Sequence, residues 1–250
     1  MLAIERRNHI LTTLESESRV LVPELAKKYA VTEETIRRDL EKLEGEGLLK
    51  RTYGGAVLPD NPRIDLPYKI RAETNKAQKL IIAEKIHQLI APNHNIMLDA
   101  SSTCVHIANK LKNKDRLTII TNSVEILIEC SNSNNINTVS TGGVLRGPSL
   151  SLVGSGATQA LSRFTADIAI ISCKGLDFDK GIMESSLEEA EIKKAMADNA
   201  QQLILAVDSS KFDRLSFTKT LDLLRVHTVV SDHVPQAWAR FFDDNNIKYL

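Results

Sequence analysis

The chain has 250 residues, of which 42% are hydrophobic and 26% charged, a composition typical of a soluble globular protein. Its apolar runs are strand-sized and its N-terminus lacks the layout of a signal peptide, so we expect neither a membrane partner nor secretion. The 32 basic and 32 acidic side chains cancel, which excludes an overall positive charge that would by itself indicate nucleic-acid binding. The three cysteines lack metal-type spacing, so we expect reduced thiols in the cytoplasm, without a metal site or a cofactor.

The segment 20–44 has the pattern of a helix, a tight turn and a second helix. The first helix is predicted over about 23–29, with a proline near its first turn, where the missing N–H is harmless. Thr32 follows the turn and is a good N-cap for the second helix, over about 33–44. At 100° per residue, three apolar residues of this helix fall within one narrow sector, which predicts a buried side: Ile36, Leu40 and Leu43.

The opposite side of the second helix has the layout of a recognition helix for the major groove of DNA. Arg38 lies directly opposite the buried sector, and guanidinium groups bind guanine edges or phosphates. The candidate DNA contacts on this helix are Thr32, Glu34, Thr35, Arg37, Arg38 and Lys42.

Two short apolar runs around 52–55 predict a β-hairpin, in which Gly54 and Gly55 supply the positive φ of the turn. The further candidate DNA contacts are Lys50, Arg51, Tyr53 and Gly54. Together these features predict a winged helix-turn-helix over 1–57 that binds double-stranded operator DNA. The alternative is a helical hairpin used for dimerisation, with the two arginines on a solvated face.

Three prolines in 58–67 predict an extended linker, and the domain beyond it, 68–250, has a different pattern. It opens with helical spacing over 68–90. Strands are predicted over 96–98, 117–121, 136–140, 168–172, 203–207 and 227–231. Helices are predicted over about 103–111, 123–130, 155–163 and 187–200. This alternation predicts an α/β domain with a mainly parallel sheet covered on both faces.

Small polar residues follow several of these strands, at the edge where ligands bind in open α/β sheets. A strand leads into Asp99, and the following loop opens a helix whose free N–H groups and hydroxyls would hold a phosphate. The candidate ligand contacts in these loops are Asp99, Ser101, Ser102, Thr103, Thr121, Asn122, Ser123, Gly142 and Gly143. Taken singly, each is also explained by helix capping or by a turn.

Later loops add charged candidates. Lys174 and Lys211 offer positive charge to a phosphate, and Glu189 is an acceptor for sugar hydroxyls. The candidate ligand contacts here are Lys174, Gly175, Glu189 and Lys211. The alternative for the lysines is a solvated position, for Lys174 beside Asp177 or Asp179.

Thr32-Glu-Glu-Thr-Ile-Arg-Arg-Asp-Leu-Glu-Lys-Leu43, followed by Tyr53-Gly-Gly-Ala56, resembles the DNA-binding signature of the DeoR family of regulators. The polar loops from Asp99 to Phe212 resemble the sensor domain of the same family. The resemblance implies a fold shared with ribose-5-phosphate isomerase and coenzyme A transferases, a phosphorylated sugar as effector, and assembly as a homo-oligomer, dimer or tetramer. It also implies a repressor that the effector releases.

Two features depart from the family pattern. The first loop commonly has the sequence Asp-x-Gly-Thr-Thr in the family, whereas here it is Asp99-Ala-Ser-Ser-Thr103, and Lys174 replaces a small or neutral residue. Asp99-Ala-Ser-Ser-Thr-Cys104 and the pattern Ser-Cys-x-Gly at 172–175 are similar to the fucose-operon branch, which points to a deoxy-sugar phosphate.

Two other functions compete with that of a regulator. One is a sugar-phosphate isomerase with a DNA-binding appendage, which would need a carboxylate base. No carboxylate directly follows Gly142-Gly143, so we expect binding without catalytic residues. The other is an architectural DNA-binding protein whose C-terminal domain only oligomerises, and convergence of the polar loops would argue against it.

Overall fold

The computed structural model describes residues 1–17, 19–57 and 66–250, and these residues form two compact units, Met1–Asn75 and Lys76–Leu250. Each unit has its own hydrophobic core. The predicted linker, 58–67, lies outside the described residues except for its last two positions. None of the described helices has both the length and the apolar composition that crossing a membrane requires.

The N-terminal unit is a winged helix-turn-helix, as predicted. Its elements in chain order are α1 (Ala3–Glu17), β1 (Arg19–Leu21), α2 (Val22–Tyr29), α3 (Glu33–Gly45), β2 (Lys50–Thr52), β3 (Gly55–Val57) and α4 (Tyr68–Glu73). The turn between α2 and α3 passes through Ala30, which has a left-handed φ of 52°. The Thr32 side chain accepts a hydrogen bond from the Thr35 amide, which confirms the predicted N-cap.

The wing is a three-stranded antiparallel sheet in the order β1-β3-β2. The prediction that both glycines supply a positive φ is wrong for one of them, because only Gly54 is left-handed, with φ of 84°. Gly55 is needed for a different reason. A Cβ there would lie 2.0 Å from the carbonyl oxygen of Val20, so β1 and β3 approach closely only because the side chain is missing.

A buried ion pair anchors α3 to α1. Asp39 lies on α3 and is 4% exposed, and its Oδ2 accepts from Nε of Arg6 at 2.5 Å. Arg7 approaches the other carboxylate oxygen at 3.5 Å. The apolar side of α3 is buried as predicted, so packing and a paired charge together fix the recognition helix on the unit.

The helical spacing of 68–90 corresponds to two helices rather than one, because the chain is left-handed at Asn75, with φ of 51°. The Thr74 hydroxyl donates to the Ile70 carbonyl and closes the end of α4. Ile70 packs in the core of the N-terminal unit. The boundary between the units therefore follows Asn75, whereas the predicted second domain begins at Tyr68.

The second unit is an α/β domain. Its helices are α5 (Lys76–Leu89), α6 (Ser102–Leu111), α7 (Val124–Cys130), α8 (Ser155–Leu161), α9 (Leu187–Asp198) and α10 (Gln236–Asp244). Its strands are β4 (Asn95–Leu98), β5 (Leu117–Thr121), β6 (Ile136–Ser140), β7 (Val144–Arg146), β8 (Ser151–Val153), β9 (Ala166–Ile171), β10 (Gly175–Asp177), β11 (Gly181–Glu184), β12 (Ala200–Ala206), β13 (Thr218–Leu221), β14 (Thr228–Val230) and β15 (Lys248–Tyr249).

The main sheet has seven parallel strands in the order β15-β14-β12-β9-β4-β5-β6, which confirms the predicted parallel α/β fold. From β4 the chain proceeds to β5 on one side, and later returns to β9 on the other side. The strand order therefore reverses between β4 and β9, and the crevice beyond their carboxyl ends is the expected ligand position.

The sequence did not predict several smaller elements that follow the strands of the main sheet. The hairpin β7-β8 follows β6. In the antiparallel sheet β10-β11-β13, the first two strands follow β9 and the third follows β12. Trp238 on α10 is fully buried, stacks on Phe178 and donates from Nε1 to Asp213 at 3.0 Å.

Candidate functional site

The outward side of α3 carries the predicted DNA contacts in exposed positions, except for Thr35, which is half-buried. The Arg38 side chain is 77% exposed, opposite the buried Leu40 and Leu43, and it lies 3.4 Å from the Glu34 carboxylate one turn earlier. Arg37 pairs with Glu33 at 2.6 Å. Thr32, Thr35 and Lys42 complete the candidate set on this helix, and Thr35 lies within hydrogen-bond distance of the Thr32 hydroxyl, at 2.9 Å.

The wing presents the remaining candidates beside α3. Tyr53 at the tip is fully exposed, and Lys50 is exposed on β2. The Arg51 amide and Nε donate to the two carboxylate oxygens of Glu44, at 2.8 and 2.7 Å, and so join the wing to the end of α3. The exposed arginines of α3 and the wing thus belong to one unit with an open surface, as binding in a DNA groove requires.

A buried charge cluster lies beside the carboxyl ends of β4 and β9. Asp99 follows β4 and is 1% exposed; its Oδ1 accepts from the Ser101 amide at 3.0 Å and its Oδ2 from the Ser172 amide at 2.8 Å. The Lys193 ammonium donates to the same Oδ2 and to the Ser172 carbonyl. It also lies 3.2 Å from Glu184 of β11. We call Asp99, Ser172, Glu184, Glu189 and Lys193 the switch-point cluster.

Opposite charges control the ionisation of this cluster. Burial by itself raises the pKa of Asp99, but the charge of Lys193 and its hydrogen bond outweigh burial and hold the pKa below its ordinary value. Burial likewise lowers the pKa of Lys193, but the nearby carboxylates, Asp99 first and then Glu184 and Glu189, raise it above the ordinary value. Asp99 and Lys193 are therefore both ionised at neutral pH.

Lys193 and Glu184 were not among the predicted site residues. A lysine within an amphipathic helix gives no signal that distinguishes a buried position from a solvated one. Glu184 ends β11, a strand that the sequence did not predict. The one signal in the sequence was the spacing of four residues between Glu189 and Lys193, which places both side chains on the same face of a helix.

Glu189 is held by a chain of hydroxyl groups. Its Oε1 accepts from the Ser151 hydroxyl at 2.5 Å, and the Ser151 hydroxyl lies 2.8 Å from that of Ser149. Arg146 of the hairpin β7-β8 donates to Ser149 and lies 4.0 Å from Glu189. The structure thus adds two serines and an arginine to the surroundings of this predicted contact.

The predicted phosphate loop begins α6. The Ser101 hydroxyl accepts from the Cys104 amide at 3.1 Å and caps the helix. Ser102 and Thr103 lie in the first turn and are 5% and 3% exposed. All three therefore stand at a helix N-terminus next to Asp99, where backbone N–H groups favour an anion.

The loop after β5 is held at the same edge of the sheet. The Thr121 hydroxyl donates to the Leu98 carbonyl at 2.7 Å, and the Ser123 hydroxyl caps α7 through the Ile126 amide. Asn122 is fully buried and donates to the Leu152 carbonyl at 3.2 Å, while its Oδ1 has no hydrogen-bond partner among the described residues. A buried acceptor of this kind is costly unless a ligand or a water molecule donates to it.

The predicted glycines of the remaining loops differ in whether the structure has room for a side chain in their place. Both Gly142 and Gly143 have positive φ, and a Cβ at Gly143 would lie 2.6 Å from the Val153 carbonyl oxygen, whereas space around Gly142 is open. A Cβ at Gly175 would lie 2.0 Å from the Arg214 carbonyl oxygen. Close packing therefore explains Gly143 and Gly175 without a ligand, and Gly142 is the one of the three with room beside it.

The two predicted lysines lie at separate loops. Lys174 follows β9 and is half-buried, and its amide donates to the Met183 carbonyl. Asp177 accepts from the amides of 179 and 180 in a turn. Lys211 ends a short 3-10 helix after β12. Burial by itself raises the pKa of the nearby Asp208, but the charge of Lys211, together with other contacts, lowers this pKa below its ordinary value.

The structure also bears on the argument against catalysis. A carboxylate is absent after Gly142-Gly143, but the fold brings Asp99, Glu184 and Glu189 together from other elements. Asp99 is paired with Lys193 and its pKa is lowered, which makes it a weak base for proton abstraction. The arrangement is better suited to holding a polar molecule than to moving its protons.

Comparison with known proteins agrees with both units. A family model for the DeoR-like helix-turn-helix domain matches residues 6–61, and a model for the DeoR C-terminal sensor domain matches residues 74–233. Among solved structures, ribose 5-phosphate isomerase A from Methanocaldococcus jannaschii has a TM-score of 0.42 and 19% identity over 55% of each chain. That likeness concerns the fold alone.

Similar curated proteins are regulators of transcription, and the similarity extends over most of the length of both chains. The HTH-type transcriptional regulator YulB of Bacillus subtilis is 37% identical over 99% of this chain and 96% of that protein. The L-fucose operon activator of Haemophilus influenzae is 34% identical, covering 96% and 93%. A putative aga operon transcriptional repressor of Escherichia coli O157:H7 is 30% identical, covering 91% and 86%. These relatives and both models describe regulators rather than enzymes, and the chain belongs to the DeoR family of transcriptional regulators.

Proposed function

We propose that this regulator represses a sugar-catabolic operon and that a phosphorylated sugar, bound at the crevice between β4 and β9, controls its affinity for the operator. The operator contact is made by α3 and the wing. The protein acts as a homo-oligomer, dimer or tetramer, because two copies of the recognition helix match the two half-sites of a symmetric operator.

The observation that carries the proposal is the meeting of polar loops at one edge of the sensor sheet. Asp99 and Ser172 follow the two strands at which the strand order reverses, and a helix N-terminus opens beside them. The buried Asn122 lacks a partner for its Oδ1. Buried polar groups that protein contacts leave unsatisfied favour a ligand over a domain that only oligomerises.

The names of relatives support a sugar-linked role without fixing the sugar. One relative carries the name of an L-fucose operon and another that of an aga operon. One is called an activator and the other a repressor. Repression stays the proposal because effector-driven release of DNA is the simplest use of a sensor joined to a winged helix, and a deoxy-sugar phosphate is the effector to test first.

The DNA contact is tested by changing Arg38 to alanine. Losing one bidentate base contact costs about 1–3 kcal/mol, so affinity for the operator should fall about five- to 150-fold. The measurement is a fluorescence anisotropy titration at fixed salt, with a duplex selected from a random pool by the wild-type protein. Arg240→Ala removes the same charge from an exposed position on α10 and should leave the affinity unchanged. Unchanged binding by Arg38→Ala would remove this residue from the interface.

Lys50→Ala should behave differently from Arg38→Ala. A lysine that contacts phosphate contributes equally to all sequences, so affinity should fall for selected and scrambled duplexes alike. The slope of log affinity against log salt should decrease in magnitude by about one. A slope equal to that of the wild type would show that Lys50 does not contact phosphate.

The effector contact is tested by changing Lys174 to methionine. A charge-assisted hydrogen bond to phosphate contributes about 1.5–3 kcal/mol, so the dissociation constant should rise about ten- to hundredfold. Calorimetry with one active sugar phosphate measures the change. Lys180→Met, in the exposed turn between β10 and β11, is the matched control. A shift of less than about threefold for Lys174→Met would place this lysine outside the site.

A further inference from the structure

Three arginine–glutamate pairs lie on the proposed DNA surface. They are Arg37–Glu33, Arg38–Glu34 and Arg51–Glu44, with N···O distances of 2.6, 3.4 and 2.7 Å. All six side chains are at least 37% exposed, so each guanidinium is open to DNA although a carboxylate lies beside it, and the carboxylates of Glu33 and Glu44 accept hydrogen bonds from their arginines. We call Glu33, Glu34 and Glu44 the counter-ion glutamates, and their partners the paired arginines.

The distribution of charge in the DNA-binding segment agrees with this local pairing. Residues 1–57 contain ten basic and ten acidic side chains, so the segment has no net charge. Sequence-independent attraction to DNA comes almost entirely from positive charge that replaces counter-ions at phosphates. A neutral segment has little of this attraction, and here three of the ten acids neutralise the arginines that would otherwise supply it.

We propose that the counter-ion glutamates set how strongly the protein discriminates its operator from other DNA. They compete with phosphate oxygens for the paired arginines, and they also bring negative charge close to the backbone of any duplex. Both effects weaken binding to all sequences. At the operator, guanine edges offer a bidentate partner that compensates for the lost pair, so binding there is reduced less. The inference rests on the proposed DNA surface.

Glu44 has a second effect, because it also positions Arg51. Its two carboxylate oxygens accept from the Arg51 amide and Nε, so the end of α3 and the base of the wing are joined through one side chain. The hydrogen bonds from the Arg51 backbone, and then from its side chain, lower the pKa of Glu44, which therefore stays ionised well below neutral pH. Removing this carboxylate makes the Arg51 guanidinium available to phosphates, and it also removes the hydrogen bonds that orient the Arg51 side chain.

The test compares the wild-type chain with the Glu33→Gln/Glu34→Gln/Glu44→Gln variant on two duplexes, the selected operator and a scrambled duplex of equal composition. The two pairs within α3 contribute about twofold each and the Arg51–Glu44 pair about two- to fivefold, so affinity for the scrambled duplex should rise about tenfold. Affinity for the operator should rise by no more than about threefold. The ratio of the two affinities therefore falls at least threefold, and the difference between the proteins shrinks as KCl is raised.

Glu46→Gln provides the matched control. Glu46 lies at the end of α3, is exposed, and has no ion pair among the described residues, so its removal changes net charge without freeing an arginine. It should change the affinity for the scrambled duplex by less than about twofold. Glu34→Gln alone, on an exposed helix face, repeats the test if the triple variant does not fold.

Two results would overturn the inference: an unchanged affinity of the triple variant for the scrambled duplex, or a rise with Glu46→Gln equal to that with Glu34→Gln. Arg38→Ala distinguishes this failure from failure of the proposed interface. If Arg38→Ala weakens operator binding while the glutamine variants leave the affinity ratio unchanged, the interface stands and the role of the glutamates does not.

Discussion

Replacing Lys193 by methionine is expected to lower the free energy of unfolding of the sensor domain by about 3–5 kcal/mol. Lys193 is 4% exposed and its ammonium lies against the carboxylates of Asp99 and Glu184, so its loss leaves buried negative charge without a partner. Urea unfolding followed by the fluorescence of Trp238, the single tryptophan of the chain, measures the change in this domain. The variant should also lose its response to sugar phosphates, because Lys193 positions Asp99 and Ser172.

The neighbouring Lys194 supplies the control. It is exposed on the same helix, and Lys194→Met should change the free energy of unfolding by less than about 0.5 kcal/mol. Equal unfolding free energies for the Lys193 and Lys194 variants would contradict the role of the buried cation.

Acidification should change the free energy of unfolding of the wild type and of Lys193→Met in different directions. In the wild type the pKa of Asp99 is lowered, so its stabilising contribution is complete above about pH 4 and is lost as pH falls through the lower folded value. Without Lys193, burial is opposed only by the hydrogen bonds at Ser101 and Ser172, and the pKa of Asp99 should rise. The variant should then gain stability as pH falls from 7 to 5, whereas the wild type should not. Parallel pH profiles would show that Lys193 does not control this carboxylate.

Replacing Asp39 by alanine is expected to destabilise the N-terminal unit by about 3–5 kcal/mol and to abolish operator binding. The change leaves the buried guanidinium of Arg6 without its carboxylate and detaches α3 from α1. Hydrogen–deuterium exchange should show loss of protection in α3, while peptides of the sensor domain keep wild-type protection.

Glu41→Ala is the control for Asp39→Ala, since Glu41 is exposed on the same helix two residues later. Its exchange pattern should match that of the wild type. Wild-type protection of α3 in Asp39→Ala would show that apolar packing alone holds the recognition helix, and that the buried ion pair contributes little.

The regular elements of both units could be predicted from the sequence because local patterns determine them. The apolar sector of α3 and the N-cap Thr32 indicated the recognition helix, and alternation of apolar runs with helices indicated the parallel sheet. The break at Asn75 could not be predicted, because the periodic spacing of 68–90 continues through it and only the left-handed backbone interrupts the helix. Short strands such as β11, which pairs with the adjacent β10 and the distant β13, have too few residues to leave a pattern of their own.

The candidate site was predicted only as far as strand ends reveal it. Thr121 ends a strand, Asp99 and Asn122 directly follow strands, and parallel strands bring their ends to one edge. Lys193 and Arg146 come from a helix face and a hairpin, and their burial depends on tertiary packing. Tertiary packing also explains Gly143 and Gly175, which were predicted from the sequence as ligand contacts: a neighbouring carbonyl group lies too close to each for a side chain.

The most direct test of the account measures operator affinity with and without phosphorylated sugars. Fluorescence anisotropy of the selected duplex is titrated with the full chain in the presence of hexose, pentose and deoxy-sugar phosphates, each paired with its unphosphorylated sugar. Allosteric coupling of this kind typically changes affinity about five- to 150-fold. We expect at least one sugar phosphate to lower operator affinity by such a factor while its unphosphorylated sugar does not. Equal operator affinity in every phosphate and every sugar would contradict it.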